Sequence, residues 1–113
     1  KDFPERPQIG YCTGCGACYG GAGPCPQKDD AAGVIGKMVE ADVIVMATPV
    51  YFYTMSAQMK TLIDRCCAGY LEIRDKEFYF IVAAAETSVA AMERTIDGFR
   101  GFLDCLDLSL IHI

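Results

Sequence analysis

One stretch, residues 41–67, constrains the fold more than any other part of the chain. It opens with an unbroken apolar run at residues 43–47 that is rich in β-branched side chains, a pattern typical of a strand buried on both faces of a parallel sheet. Pro49 has no N–H group, so the strand is predicted to end at Thr48-Pro49. Ser56 is a predicted helix N-cap and Gly69 a predicted helix stop. This order predicts a strand, a loop and a helix, with the loop at the carboxyl edge of a sheet, where open α/β sheets bind ligands.

The rest of the chain continues this alternation of strands and helices. A helix is predicted after Asp29-Asp30, where either carboxylate can cap it. A second strand is predicted over about 76–85, followed by a helix that Ser88 or Thr87 can cap and that runs to about residue 106. Residues 108–113 are apolar enough for a third strand. We therefore expect an α/β fold, an open parallel sheet with helices on both faces. Because three strands make a narrow sheet, residues 1–113 are expected to form one partial domain, truncated at both ends.

Composition and charge exclude several classes of protein. The chain has 113 residues, of which 52% are hydrophobic, and a net charge of −5. Its ten Lys and Arg residues are scattered, so no nucleic-acid-binding surface is predicted. No apolar run reaches the roughly 20 residues of a membrane span, and no signal peptide is recognisable. Seven cysteines without a secretion signal indicate metal or redox chemistry in a reducing cytoplasm more than a disulfide framework.

Four of the cysteines form a compact, glycine-rich motif with the spacing C-x2-C-x2-C-x6-C: Cys12, Cys15, Cys18 and Cys25. Thiolates spaced in this way can face one metal centre, and bacterial ferredoxins use a related run for 4Fe–4S clusters. Four thiolates also make a tetrahedral zinc site, and a loop of this kind need not hold any metal. For the other three, Cys66, Cys67 and Cys105, we expect buried small hydrophobes on helix faces, and for Arg65 and Lys60 exposed helix charges.

The segments CTGCGAC, ADVIVMATPVYF and MSAQMKTLIDR, taken together, resemble flavodoxin-like NAD(P)H-dependent FMN reductases, and in particular the branch that includes the iron–sulfur flavoproteins. The resemblance runs from Cys12 to about Leu106. It implies a flavodoxin-like fold, an FMN cofactor and a homodimer or larger homo-oligomer. The family's first strand and its phosphate-binding loop have no counterpart in residues 1–113, so we expect this chain by itself to bind FMN weakly.

The same resemblance assigns the flavin ring to two loops. The first supplies Thr48, Pro49, Val50, Tyr51, Phe52, Tyr53 and Met55, and the second supplies Ala84, Ala85 and Glu86. Aromatic side chains suit a planar, largely apolar ring. The alternatives are that the aromatic residues belong to the core or to a subunit interface, and that Glu86 is a solvated acid favoured by a helix start.

The function implied is an FMN-dependent oxidoreductase. It would take electrons from NAD(P)H through the flavin, and through a 4Fe–4S cluster at the four spaced cysteines, to a small-molecule or protein acceptor. Hydride transfer to a flavin needs no side-chain acid or base, so no catalytic residue is predicted. Two alternatives remain open from the residues: a non-enzymatic flavodoxin- or ferredoxin-like electron carrier, and a zinc-stabilised structural domain.

Overall fold

The computed structural model describes residues 4–106 and has an α/β architecture. The elements in chain order are α1 (Ala31–Glu40), β1 (Val43–Tyr51), β2 (Thr54–Met55), α2 (Ala57–Arg65), β3 (Glu77–Ala83) and α3 (Glu93–Cys105). Strand β1 lies at the centre of the order β2-β1-β3, parallel to β3 and antiparallel to β2. The strand predicted at 108–113 lies outside the described residues. Within residues 4–106, no helix is long and apolar enough to cross a membrane.

Side-chain caps mark the starts of the helices, as predicted. The Ser56 hydroxyl accepts the N–H of Met59 at 3.2 Å and so begins α2. The Asp29 carboxylate accepts the N–H of Ala31 at 3.1 Å at the start of α1. Ser88 caps a short 3-10 turn that leads directly into α3. Each cap satisfies an N–H group that has no partner within its own helix.

One face of the sheet packs against the helices and the other is exposed. Ile44 and Met46 of β1 point into the core, whereas Val45, between them, is 56% exposed. Strand β3 alternates in the same way, with Phe80 buried and Ile81 58% exposed. The prediction that β1 is buried on both faces is therefore wrong for this structure. Buried residues of α1 and α3 form a single core cluster with this inner face, and partly buried residues of α2 pack against it.

Aromatic packing fixes α3 against β3. The rings of Phe80 and Phe99 stack with centroids 4.2 Å apart, and those of Phe78 and Phe102 meet edge to face at 6.2 Å. Both arrangements are favoured by the charge distribution of aromatic rings. These two ring contacts hold α3 against β3.

The end of α2 is tightly packed against α1. Helix α2 ends at Arg65 and is followed by a 3-10 turn, Cys66–Ala68, and then by Gly69. Gly69 lies where the stop was predicted, but its φ of −145° is not left-handed. Its role is close packing, because a Cβ atom there would lie 2.6 Å from Ile35 Cγ2.

Candidate redox site: an aromatic hairpin and a five-thiol cavity

The predicted aromatic loop is a tight β-hairpin. Strand β1 continues through Pro49 to Tyr51, which pairs with Thr54 of β2. The predicted strand end at Thr48-Pro49 is therefore wrong. Proline is tolerated in edge strands, and the side of Pro49 away from β3 has no partner strand in the described part of the chain.

The hairpin turn consists of two aromatic residues in an unfavourable backbone conformation. Phe52 has φ +49° and Tyr53 φ +70°, values that type I′ hairpin turns require and that Asn and Gly usually supply. For other residues the left-handed region costs about 1–2 kcal/mol each. Phe52 is nevertheless fully exposed, while Arg94 lies 5.6 Å from the centre of the Tyr53 ring. Strained residues of this kind cluster at functional sites in proteins.

The second predicted ring-contact loop lies at the same edge of the sheet. Pro49 is in register with Ala83, the last residue of β3. Ala84, Ala85 and Glu86 follow directly, and the last two of these are exposed. The structure therefore brings the two predicted loops together at the carboxyl edge of the parallel strands, where α/β folds bind ligands.

Two of the predicted ring contacts point away from this edge. The Thr48 hydroxyl is buried, donates to the carbonyl of Pro49 at 2.9 Å and accepts the N–H of Ser56 at 3.0 Å. Met55 is buried in the core and Val50 is half-buried. Strand alternation turns Thr48 and Met55 inward, so their side chains do not face the edge where the two loops meet. Pro49, Tyr51, Phe52 and Tyr53 remain exposed.

The four spaced cysteines line one cavity of about 190 Å³. All are free thiols. Between the first three, Gly14 and Gly16 adopt left-handed φ values of +69° and +80°, which other residues rarely adopt. These glycines let the loop reverse direction twice, and the N–H of Gly14 lies 3.4 Å from Cys12 Sγ as a hydrogen-bond donor.

Arg65 joins the cysteine loop to the end of α2. Its side chain is 2% exposed and forms an ion pair with Asp29, which is 18% exposed. The guanidinium donates to both carboxylate oxygens at 2.8 and 3.0 Å, to the carbonyl of Gly10 at 2.9 Å and to Cys25 Sγ at 3.4 Å. The prediction of an exposed charge is therefore wrong for Arg65. It is correct for Lys60, which is exposed and pairs with Asp64.

The ion pair fixes the charge state of this region. The Arg65 guanidinium, and then the N–H of Gly10, hold the pKa of the Asp29 carboxyl well below its usual range. The hydrogen bond to Asp29 in turn raises the pKa of Arg65. Both groups therefore stay charged at neutral pH, and the loop keeps a buried cation beside its last cysteine.

A fifth thiol, that of Cys67, lines the same cavity. The prediction of three buried hydrophobic cysteines holds only for Cys66, where burial raises the pKa of the thiol to about 12. Cys67 is half-buried and Cys105 is exposed. Helical spacing alone does not distinguish Cys67 from Cys66, because the residues that surround Cys67 come from distant parts of the sequence.

The four thiols that line this cavity are the donor type that an iron–sulfur cluster takes. Within residues 4–106, no three metal-binding side chains lie close enough together to hold one metal ion. Each thiolate of a four-iron cluster binds a different iron atom, whereas four zinc ligands must meet about 2.3 Å from one point. Arg65 Nε is also buried without a partner in the described part of the chain, which leaves a donor unused beside this cavity.

The hairpin and the cysteine cavity lie towards opposite ends of α2. Ser56, beside the hairpin, caps the first turn, and Arg65, beside the cavity, closes the last. Nine helical residues span about 12 Å between first and last Cα atoms. A groove of about 670 Å³ between α2 and α3 runs from Met55 to Cys67, so one continuous surface connects the two regions.

The fold and the site together define a flavodoxin-like α/β protein. The model of the family described as NADPH-dependent FMN reductase matches residues 2–110. The chain therefore belongs to the NADPH-dependent FMN reductase family.

Curated relatives in two archaea agree with this family. Two proteins of Archaeoglobus fulgidus, each named iron–sulfur flavoprotein, are 41% identical over 74% of this chain and 47% identical over 51% of it. An iron–sulfur flavoprotein of Methanocaldococcus jannaschii is 45% identical over 51% of the chain. The matches cover 40%, 26% and 30% of these relatives, so the chain spans less than half of their length.

Proposed function

We propose that this chain is the cluster-binding and flavin-facing part of an FMN-dependent NAD(P)H oxidoreductase of the iron–sulfur flavoprotein kind. Electrons would pass from the nicotinamide through the flavin and a 4Fe–4S cluster to a small-molecule or protein acceptor. The observation that carries the proposal is the common cavity of Cys12, Cys15, Cys18 and Cys25 in a chain of the FMN reductase family. The iron–sulfur names of the relatives support it.

The aromatic hairpin is the part of the chain proposed to contact the flavin. When FMN is bound, it would provide the group that accepts a hydride and passes the electrons on. Phe52 and Tyr51 offer exposed aromatic surface at the carboxyl edge, and the neighbouring Ala85 leaves room for close approach. Thr48 is left out of this set because its hydroxyl is used within the chain.

The cysteine loop is proposed to hold the cluster through its four thiolates. Hydrogen bonds to sulfur tune such clusters. Two donors already lie next to ligand positions, the N–H of Gly14 at Cys12 and the guanidinium of Arg65 at Cys25. A cation here offsets part of the negative charge of four thiolates. The homo-oligomer and the cytoplasmic setting remain proposals from the family resemblance and from the free cysteines.

FMN titration of the 113-residue chain tests the flavin part of the proposal. Wild type is expected to quench FMN fluorescence with a dissociation constant weaker than micromolar. Phe52→Ala is expected to weaken binding about fivefold or more, because stacking on an aromatic side chain contributes about 1–3 kcal/mol. Tyr11→Ala is the matched control, since Tyr11 is also aromatic and 80% exposed but lies outside the hairpin. Equal affinities for the three proteins would contradict the assignment.

Steady-state oxidation of NADPH and NADH tests the enzymatic part. The FMN-loaded protein is expected to oxidise at least one of them in the presence of an artificial acceptor. A protein that binds FMN and holds iron but oxidises neither nicotinamide would be a non-enzymatic electron carrier instead.

A further inference from the structure

The cysteine cavity contains one more thiol than a four-iron cluster requires. Cys67 lies in the 3-10 turn Cys66–Ala68 at the end of α2, and Cys18 immediately precedes the 3-10 turn Tyr19–Gly21. These two turns pack against each other, and both thiols line the cavity. Neither is in a disulfide.

The packing of the two turns and the shared cavity bring the two thiols to the same place, and their electrostatic interaction agrees with that position. Burial raises the pKa of Cys18, and the side chain of Cys67 raises it further through a hydrogen bond and through charge repulsion. Cys25, the other thiol that raises it, contributes least. Within residues 4–106, Cys67 is also the one cavity thiol that comes from outside the cysteine loop.

We propose that Cys18 and Cys67 form a two-thiol oxidation site, which a peroxide converts into a disulfide when the loop holds no metal. Both thiols are half-buried and therefore partly accessible from the cavity, and a second cysteine poised beside the first is the arrangement in which an oxidised sulfur is captured as a disulfide. The site takes small two-electron oxidants of the peroxide class.

The chemistry balances with hydrogen peroxide as the oxidant. One sulfur of the pair attacks a peroxide oxygen, the O–O bond breaks, and a sulfenic acid and water form. The other sulfur then attacks the sulfenic sulfur, the S–O bond breaks, and a second water leaves. In total, two thiols are oxidised to one disulfide, and one peroxide is reduced to two waters.

The disulfide and a bound metal centre exclude each other. Cys18 is the third of the four spaced cysteines, so pairing it with Cys67 removes one thiolate from the set. The link also ties the cysteine loop to the end of α2, where Arg65 already holds its last cysteine. Oxidation would therefore leave a folded chain unable to accept a cluster until it is reduced. This inference depends on the thiol positions and stands apart from the proposed function.

Peptide mapping tests the pairing directly. Reduced, iron-free chain is treated with equimolar hydrogen peroxide, its remaining thiols are alkylated, and it is digested with trypsin without reductant. Trypsin cleaves after Lys28, Arg65 and Arg74, so Cys18 lies in the peptide 2–28 and Cys67 in the peptide 66–74. The expected product is these two peptides joined with the loss of two hydrogen atoms, and fragmentation is expected to place the bond between Cys18 and Cys67.

Three variants make the test specific. Cys67→Ser is expected to lose the linked peptides, although its 66–74 peptide still contains Cys66. Cys66→Ala and Cys105→Ser are expected to retain them. Circular dichroism of each variant checks that it is folded. A linked product that persists in Cys67→Ser, a bond from Cys67 to Cys12, Cys15 or Cys25, or oxidation confined to the 2–28 peptide would overturn the proposal.

Uptake of iron and sulfide by the reduced wild-type chain separates this inference from the proposed function. A chain that forms the Cys18–Cys67 disulfide but takes up no iron would count against the cluster and leave the pairing intact. A chain that takes up iron but never forms the disulfide would do the reverse.

Discussion

Replacing Arg65 by methionine removes the buried cation that ties the cysteine loop to α2. The change breaks the ion pair with Asp29, whose shorter N–O distance is 2.8 Å, and removes the donors to Gly10 and Cys25. Loss of one partner of a buried ion pair costs about 3–5 kcal/mol, because the other charge is left without compensation. The Asp29 side chain is still 18% exposed and keeps two backbone donors. We therefore expect the lower end of that range, about 3 kcal/mol.

Thermal unfolding followed by circular dichroism at neutral pH measures this effect. A loss of about 3 kcal/mol lowers the melting temperature of a domain of this size by about 10 °C or more. Lys60→Met on the same helix is the control, since its pair with Asp64 has side chains 59% and 42% exposed and such pairs contribute less than about 1 kcal/mol. A melting temperature for Arg65→Met within a degree or two of the wild-type value, or no lower than that of Lys60→Met, would show that the buried ion pair does not stabilise the fold.

Four further predictions follow from the surroundings of individual residues. Arg65 lowers the pKa of Asp29, so the contribution of Asp29 to stability is present above its unfolded pKa of about 3.9 and is lost as the pH falls below that value. Urea unfolding at neutral and acid pH should therefore show a smaller loss of unfolding free energy on acidification for Asp29→Asn than for wild type. The double change Phe52→Asn, Tyr53→Gly should raise the free energy of unfolding by about 1 kcal/mol, because it removes aromatic residues from left-handed backbone positions. The same change should weaken FMN binding in the titration above. A fall in the free energy of unfolding would show that the aromatic turn is not strained. Gly69→Ala should destabilise the chain by about 1–3 kcal/mol, because its Cβ would lie 2.6 Å from Ile35 Cγ2. Gly101→Ala on α3, with nothing within 4 Å of the added Cβ, should stabilise it by about 0.5–1 kcal/mol.

Local signals in the sequence predicted most of the elements. Ser56 and Ser88 cap helices because a hydroxyl beside an apolar helical stripe satisfies N–H groups within its own turn. The apolar run 43–47 predicted a strand, since β-branched residues favour extended backbone. Its exposed face was not predictable, because a strand's second face is buried only if another element packs on it.

The features that the sequence did not predict depend on contacts between distant segments. Arg65 looked like an ordinary helix charge, but Asp29, 36 residues earlier, folds against it. Cys67 looked like a helix-face hydrophobe, but the turn after Cys18 packs beside it. The hairpin at Phe52 and Tyr53 was hidden because aromatic residues rarely occupy left-handed turn positions. At each of these positions the physical cause lies in tertiary packing and not in periodicity or propensity.

In the proposed function, Cys12, Cys15, Cys18 and Cys25 hold a 4Fe–4S cluster in a flavin-binding protein. An anaerobic ultraviolet–visible spectrum after reconstitution with iron, sulfide and FMN, with iron and acid-labile sulfide assayed alongside, tests it most directly. The expected result is a broad visible absorption next to the flavin bands, with about four iron atoms and four sulfide ions per chain. Flavin bands without iron, or stoichiometric zinc in its place, would contradict it.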